Sequence, residues 1–349
     1  MFKSYSEIFD QGISLEKTYR YIIESEKKIK KFFSGNDFHD IVFIACGSSY
    51  WASLSASMNF SETFNRPCFT LKSGELVLNS KYYRNLYNKP LIIAPTRSGS
   101  TSETLIAIDF FKKNYNSPIL TLVGYKDSPL LKKSDCTLEM PWITEVSICQ
   151  TQAFSCLYLA CVLISALLNS NQQLIRELEN YATGFHKISL VTEEKVKAII
   201  NSFTGFNTLY VLGNGKQYGV SIEASYINIE MAACHSGYYG TLEFRHGPIV
   251  MCDPNTLVAI ISNGCNASYE SELSREIRET GAKVLFISPD AYSIDAADYL
   301  FSYNSQVPEI IALYGVFVMQ GLAYYKAISK GLNPDKPKNL VQWIKIEQK

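Results

Sequence analysis

Long uninterrupted apolar runs, net charge and paired cysteines are all missing from this 349-residue sequence. The two most apolar stretches, 153–168 and 310–325, are interrupted by polar residues and fall short of the roughly 18 apolar residues of a membrane span. We therefore expect two buried core helices there. The first residues also lack the basic, apolar and small-residue succession of a signal peptide, so no export is expected.

The charge is balanced, with 33 basic and 33 acidic residues. A chain with no excess of either sign has no broad field to attract nucleic acid or an anionic membrane. Any anionic ligand must therefore be captured by a local arrangement of donors.

Potential metal ligands and redox pairs are sparse. The nine cysteines are scattered without CxxC spacing, which is typical of reduced thiols in a cytoplasmic protein. The four dispersed histidines offer no metal-ligand spacing, so no metal site is expected. Gly213-Asn214-Gly215 lacks the rest of the GxGxxG fingerprint, so no nucleotide or redox cofactor is expected either.

A strand, a turn and a helix follow one another repeatedly along the chain. The run 41–46 leads through Gly47-Ser48-Ser49 into a helical pattern, and the run 91–94 leads through the segment 96–101 into another. Alternating units of this kind predict an α/β fold with parallel sheets covered by helices on both faces.

The second half repeats this arrangement at a constant offset. Gly47 and Gly213 are 166 positions apart, as are Thr96 and Ser262. We interpret this as an internal duplication joined by a helical segment over 172–202. The expected division is an N-terminal helical segment 1–35, a first domain 36–190, a second domain 191–335, and a tail 336–349 that closes over the site.

The segment Thr96–Glu103 (TRSGSTSE) follows a buried strand and opens a helix. Its hydroxyls, the free N–H groups of a helix start and the small Gly99 are suited to binding a phosphate. The alternative is an ordinary Ser/Thr helix cap with a capping-box acid. Arg97 is equally compatible with a phosphate contact and with a surface ion pair. The corresponding turn Ser262–Asn266 has fewer hydroxyls, so we expect the first half to hold the phosphate.

The stretch 212–248 holds two of the four histidines and two glutamates on one predicted helix. Glu223 and Glu230 are seven residues apart, so they share a helix face. His246 follows in a glycine-rich loop, where spacing alone favours a structural role over a catalytic one.

Six motifs in the same order resemble the sugar-isomerase (SIS) family: 46–50 (CGSSY), 96–103, 144–154 (TEVSICQTQAF), 212–223, 243–248 (EFRHGP) and the tail from Lys338. They are most similar to the isomerase half of glucosamine-6-phosphate synthase, to the amino-sugar-phosphate deaminase/isomerases and to the fructosamine-6-phosphate deglycases. The resemblance implies two tandem SIS domains, each a parallel sheet flanked by helices in a flavodoxin-like or Rossmann-like three-layer sandwich.

The resemblance also implies roles for individual residues. Glu230 matches the base that moves a proton between C1 and C2, and His246 matches the residue that assists ring opening, often from the neighbouring subunit of a homodimer. A sugar 6-phosphate is expected to be bound by Ser49, Thr96, Arg97, Ser98, Gly99, Thr101, Ile148, Glu223, Val341 and Gln342.

Two departures limit the reaction. Gln342 and Ile227 occupy positions that are lysine in the synthase, so Gln342 cannot form a Schiff base. A glutaminase domain is also not expected, because the first sugar motif begins by residue 46. We therefore expect an amino-sugar-6-phosphate isomerase/deaminase, with a fructosamine-6-phosphate deglycase as the alternative. A non-catalytic sugar-phosphate sensor is a second alternative.

Overall fold

The computed structural model of the protein describes residues 2–290 and 297–346. They form two compact units, each built around one repeat. The first-repeat unit contains residues 13–145, 152–179 and the tail from Val341, and the second-repeat unit contains residues 1–12, 146–151 and 180–340. Both units are discontinuous in sequence, whereas the segments expected from the sequence are consecutive.

The first-repeat unit contains a five-stranded parallel sheet. Its strands are β1 (Ile41–Ala45), β2 (Cys68–Lys72), β3 (Leu91–Thr96), β4 (Ile119–Val123) and β5 (Cys136–Glu139), in the order β2-β1-β3-β4-β5. The three central strands are buried along their whole length, as a parallel sheet covered on both faces requires. Strand β3 ends at Thr96, two residues beyond the bound expected from the sequence.

The second-repeat unit contains a sheet of the same topology. Its strands are β6 (Thr208–Leu212), β7 (His235–Tyr239), β8 (Thr256–Ile261), β9 (Lys283–Pro289) and β10 (Tyr299–Tyr303), in the order β10-β9-β8-β6-β7. In each sheet the first strand of the repeat pairs with the second and third, and the remaining strands extend the sheet beyond the third. The duplication predicted from the constant offset is confirmed.

The helices cover these sheets with apolar faces. In the first-repeat unit, Val42 and Ile92 pack with Ala107 and Phe111, while Phe43 faces the opposite side and its ring lies 5.2 Å from Phe60. Alternate strand residues thus supply two separate cores. The helices are α1 (Lys3–Phe9), α2 (Gly12–Glu24), α3 (Glu26–Ser34), α4 (Gly47–Phe64), α5 (Ser73–Tyr83), α6 (Ser102–Tyr115), α7 (Gln152–Leu168), α8 (Gln172–Ser202), α9 (Tyr218–Ala232), α10 (Ala267–Glu279) and α11 (Pro308–Ser329).

The two apolar stretches of the sequence form the buried helices α7 and α11, as predicted. Within the described ranges, α11 is the one helix long and apolar enough to cross a membrane. Of its most apolar segment, 94% is buried inside the protein. Its apolar character is thus accounted for by core packing.

The order of strands fixes where a ligand can bind in each sheet. The chain leaves β1 for β2 on one side, whereas β3 lies on the other side, so the topology reverses between β1 and β3. In open α/β sheets, the crevice outside the carboxyl ends of such a strand pair is the usual ligand site. The turns that follow β1 and β3 lie at this point.

Gly99, in the turn after β3, has no room for a side chain. Its φ is +59°, and an added Cβ would lie 2.0 Å from Ser128 Oγ and 3.0 Å from Val123 Cγ2. We predict that Gly99→Ala lowers the free energy of unfolding by about 1–3 kcal/mol, measured by chemical denaturation. The matched control is Gly74→Ala in α5, where an added Cβ meets no atom within 4 Å. Equal stability of Gly99→Ala and Gly74→Ala would contradict the close packing of Ser128 and Val123 around Gly99.

Candidate functional site

The turn after β1 brings two buried hydroxyl groups to the edge of the first sheet. Helix α4 begins at Gly47, whose φ of +54° allows the chain to reverse directly after the strand. Ser48 and Ser49 follow in the first helical turn, with Ser49 only 3% exposed. Ser49 therefore lies at the switch point, and its contact with a sugar phosphate stays a prediction.

The turn after β3 is held in shape by its own hydroxyl groups. Thr96 Oγ1 accepts a hydrogen bond from the Gly99 N–H at 3.0 Å, and Ser98 Oγ accepts one from the Ser100 N–H at 3.2 Å. Ser128 Oγ donates to the Gly99 carbonyl at 2.8 Å. Because Thr96 and Ser98 use acceptor lone pairs in these bonds, their O–H groups can still donate to an anion.

Thr101 precedes α6 in the N-cap position with an extended backbone, and its side chain makes no capping hydrogen bond. The capping alternative considered for this segment is therefore not what the structure contains. Its hydroxyl and the N-terminal end of α6 are both at the turn, where the helix dipole favours negative charge.

Arg97 lies in the same turn but points into the protein. Its side chain is 3% exposed, and Nη1 lies 2.9 Å from Oε2 of Glu145, whose side chain is fully enclosed. The ion pair that the sequence allowed as an alternative is thus present, buried rather than at the surface. The phosphate contact stays a prediction.

The tail lies beside this turn within the first-repeat unit. Gln342 Nε2 donates to the Glu145 carbonyl at 3.1 Å and to the Tyr125 hydroxyl at 3.3 Å. Val341 is 65% exposed. The structure therefore brings together seven of the predicted site residues, from the two turns and the tail: Ser49, Thr96, Arg97, Ser98, Gly99, Thr101 and Gln342. Val341 lies at the margin of this group.

The remaining predicted residues lie in the second-repeat unit. Glu223 and Glu230 are both on α9, with Glu223 1% exposed and Glu230 half-buried. Burial raises the pKa of Tyr226, and Tyr238 and the Glu230 carboxylate raise it further. Glu230 is therefore close to an aromatic pair, Tyr226 and Tyr238, whose ring centroids are 6.2 Å apart. Neither tyrosine was singled out from the sequence.

His246 is the last residue of a short 3₁₀ turn, Leu242–His246, and is exposed. The residues before it fix the turn: Phe244 is fully buried beside Tyr210 and Tyr239, and Arg245 binds both carboxylate oxygens of Glu276 at 2.7 and 3.0 Å. The imidazole is thus presented to solvent from a rigid support.

Ile148 is half-buried, and its backbone N–H donates to the Asp335 carbonyl at 3.0 Å. The preceding residues are held by a buried carboxylate, because Glu7 accepts the Val146 N–H at 2.6 Å and also the Ser147 N–H. This segment is therefore anchored from α1 in the same unit.

The turn after β8 differs in chemistry from its counterpart after β3. Glu270 occupies the position that corresponds to Thr104, is 7% exposed, and accepts a hydrogen bond from Ser262 Oγ at 2.5 Å. Burial raises its pKa to about 7 although the Ser262 hydrogen bond lowers it. A buried carboxyl group under the turn disfavours a phosphate there. The two turns have therefore diverged.

An open cleft of about 440 Å³ lies elsewhere, around Arg275, Arg278 and Lys283. Lys283 begins β9, so this cleft is at the amino end of a strand, away from the carboxyl ends where such folds bind ligands. Arg278 and Lys283 are already paired with Asp298 at 3.2 and 3.1 Å. Over residues 2–290 and 297–346, no group of three potential metal ligands was found.

Comparison with known proteins identifies the family. The SIS domain family matches residues 36–170 and 202–330, which cover both repeats. The chain belongs to the SIS domain family. Each matched segment corresponds to one of the two sheets with its helices, so the predicted tandem SIS architecture is confirmed.

Individual relatives agree with this assignment. The glutamine–fructose-6-phosphate aminotransferase (isomerizing) of Vibrio cholerae is 27% identical over 323 residues, which are 88% of this chain and 52% of the relative. The chain thus spans about half the length of such relatives. Among solved structures, glucosamine-6-phosphate deaminase from Thermotoga maritima has a TM-score of 0.82 and 27% identity, covering 98% of this chain and 99% of that one. Tagatose-6-phosphate ketose/aldose isomerase from Escherichia coli has a TM-score of 0.81 at 18% identity, covering 97% and 95%, and shows the fold.

The Glu270 carboxyl group should make the stability of this SIS protein depend on pH. Its pKa is raised from 4.5 to about 7 in the folded state, so the folded state binds the proton more tightly. The stabilisation that proton binding by Glu270 gives to the folded state is therefore complete below about pH 4.5. It declines as the pH rises and is lost above about pH 7.

We predict that Glu270→Gln stabilises the protein by up to about 3 kcal/mol near pH 8 and changes its stability little near pH 4. Thermal unfolding across this pH range measures the difference. The control is Glu272→Gln, at a largely exposed position on the same helix. A pH-independent difference between Glu270→Gln and the parent would contradict the buried carboxyl assignment.

Proposed function

We propose that the protein is a phosphosugar isomerase/deaminase that acts on an amino-sugar 6-phosphate by proton transfer between C1 and C2. The observation that carries the proposal is the hydroxyl-lined turn 96–101 at the switch point of the first SIS sheet. The similarity to a glucosamine-6-phosphate deaminase over almost the whole of both chains supports the same substrate class.

The first repeat holds the phosphate group in this proposal. The O–H groups of Ser49, Ser98 and Thr101 and the start of α6 provide donors without bulk, as phosphate recognition needs. Because the net charge of the chain is zero, this local set of donors, rather than a general field, determines the preference for a phosphorylated sugar.

Glu230 is the base in this proposal. Once the ring is open, its carboxylate removes the proton from C2 of the amino sugar to give an enolamine, exchanges that proton with solvent, and then protonates C1. The product is an imine at C2, which water hydrolyses to a ketose phosphate and ammonia. The carboxylate is half-buried and close to Tyr226 and Tyr238, so it is partly shielded from solvent on α9.

His246 assists ring opening, and we propose that a second copy of the chain covers the surface that bears it. Three apolar side chains near His246 are exposed: Leu242 by 41%, Met251 by 64% and Val250 by 81%. Contiguous exposed apolar patches can mark protein–protein interfaces. A homodimer with shared catalytic sites would account for both the exposed imidazole and these neighbours.

The nine cysteines are free thiols, and five of them are buried. Such thiols suit a reducing compartment, which supports a cytoplasmic location for the proposed enzyme.

Gln342 is compatible with a second candidate reaction. An amide cannot form the Schiff base that a lysine at this position could form, so catalysis depends on Glu230 and His246. The same two groups could release an amino acid from a fructosamine 6-phosphate. A deglycase is therefore the second candidate, and a non-catalytic sensor is what remains if neither reaction occurs.

The deciding experiment incubates the protein with glucosamine, galactosamine and fructosyl-amino-acid 6-phosphates, and follows ammonia, free amino acid and new sugar phosphates by mass spectrometry. We expect ammonia and a ketose phosphate from an amino-sugar 6-phosphate, and much slower turnover of the unphosphorylated sugar. Release of an amino acid would establish the deglycase. Binding without any product would contradict both enzymatic proposals and favour the sensor.

The role of Glu230 leads to a specific prediction. Glu230→Gln should lower kcat by at least about 100-fold, because the amide cannot accept the proton, while sugar-phosphate affinity changes little. Kinetics and calorimetric binding of the same substrate measure the two effects. The control is Glu194→Gln at an exposed position of α8. Unchanged turnover of Glu230→Gln would remove the proposed mechanism.

A further inference from the structure

The charge of Arg97 is already balanced inside the first-repeat unit. Its guanidinium is almost fully buried, 2.9 Å from a Glu145 carboxylate that is itself completely enclosed. The other oxygen of that carboxylate, Oε1, accepts the Ala153 N–H at 3.4 Å, which ties it to the start of α7. A guanidinium neutralised in this way exerts little net attraction on a phosphate in the turn.

The same guanidinium reaches the tail. Arg97 Nη2 donates to the backbone carbonyl of Gln342 at 3.4 Å. On the opposite side, the Arg97 carbonyl accepts the Gly124 and Tyr125 N–H groups at 3.1 and 3.2 Å, which positions Tyr125. The Tyr125 hydroxyl in turn accepts a hydrogen bond from the Gln342 side chain. Arg97 therefore contacts Gln342 directly and also orients one of its partners.

Polar contacts hold the rest of the tail as well. The Ser102 N–H donates to the Ile344 carbonyl at 3.4 Å, and the Ile346 N–H donates to Ser102 Oγ at 3.0 Å. The Trp343 ring packs edge-on against Tyr125, with centroids 5.7 Å apart. Ile344 and Ile346 are 54% and 44% exposed, so the burial of these two side chains contributes little to holding the segment.

These contacts join the tail to the turn proposed to bind phosphate. Arg97 and Ser102 flank the hydroxyls of Ser98 and Thr101 in sequence, and both bind the segment 342–346. The conformation of the turn and the position of the tail are thus linked through the same backbone. A change at Arg97 would remove one of the hydrogen bonds that hold Gln342, the first residue of this segment.

We propose that Arg97 is a positioning residue that seats the tail segment 342–346 on the phosphate turn, and that it affects substrate affinity only through this segment. The consequence for affinity rests on the proposed function, whereas the attachment of the tail does not. Arg97 thereby differs from Ser98 and Thr101, whose hydroxyls are the proposed direct contacts.

Limited trypsin digestion without any sugar tests the attachment. We predict that Arg97→Gln accelerates cleavage after Lys345 about tenfold, because one anchoring interaction of roughly 1–2 kcal/mol is lost. The control is Arg66→Gln, which removes an arginine that binds the Phe38 and His39 carbonyls in the same unit. An unchanged cleavage rate in a folded Arg97→Gln protein would overturn the proposal.

Loss of Arg97 alone removes the guanidinium that pairs with the buried Glu145 carboxylate, which can unfold the protein. The combination of Arg97→Gln with Glu145→Gln removes both charges, and circular dichroism reports whether it is folded. We expect the same accelerated cleavage in this double variant. Parent-like protection of Lys345 there would equally overturn the proposal.

A double-mutant cycle tests the effect on the ligand. All four proteins carry Glu230→Gln, which prevents turnover. Glucosamine 6-phosphate is titrated calorimetrically into this background protein, its Arg97→Gln variant, a chain ending at Val341, and the shortened chain with Arg97→Gln. We predict a loss of affinity of about tenfold from Arg97→Gln in the full chain and less than about twofold in the shortened chain. Equal losses in both backgrounds would mean direct phosphate contact and would overturn the proposal.

The attachment of the tail by Arg97 and the proposed function can be contradicted independently. If the parent does not bind glucosamine 6-phosphate and forms no product from any sugar phosphate in the screen, the proposed function is contradicted. The trypsin result still decides whether Arg97 anchors the tail, because that experiment contains no ligand.

Discussion

Parallel pairing of the first and third strands of each repeat is the constraint on which the rest of this structure depends. In the first sheet, Ile41–Phe43 of β1 pair with Leu91–Ile93 of β3, so both strands end at the same edge. Ser49 and the turn 96–101, which are almost 50 residues apart in sequence, meet there for that reason. The central strands are buried along their whole length, and a shift by one residue would move every side chain to the opposite core.

The second repeat uses the same pairing for a different purpose. Its turn after β8 covers a buried Glu270 and leads into α10, which carries Glu276. Glu276 holds Arg245, and Arg245 precedes His246. In the first-repeat unit, helix α6 begins at the proposed phosphate turn. Its counterpart in the second-repeat unit, α10, supports the turn that bears His246. Divergence after duplication explains why one sequence contains two similar architectures and only one hydroxyl-rich turn.

Central strands and buried helices could be predicted from the sequence because their burial leaves an uninterrupted apolar pattern. The long helix over 172–202 and the strand–turn–helix units around Gly47 and Gly213 are confirmed. Edge strands such as β7, with the sequence HSGYY, are half-exposed and have no such pattern. Glu145, which pairs with Arg97, lies 48 residues further along the chain, so only the tertiary fold brings the two side chains together. Glu270 could have been noticed by comparing the repeats, since it replaces Thr104 at the same offset.

The central claim is that Glu230 transfers a proton between C1 and C2 of a sugar phosphate. The most direct test incubates glucosamine 6-phosphate with the protein in D₂O and locates deuterium by NMR. The account predicts deuterium at C1 of the ketose phosphate, or at C2 of recovered substrate, and none with Glu230→Gln. Conversion without deuterium at either carbon, or unchanged incorporation by Glu230→Gln, would contradict it.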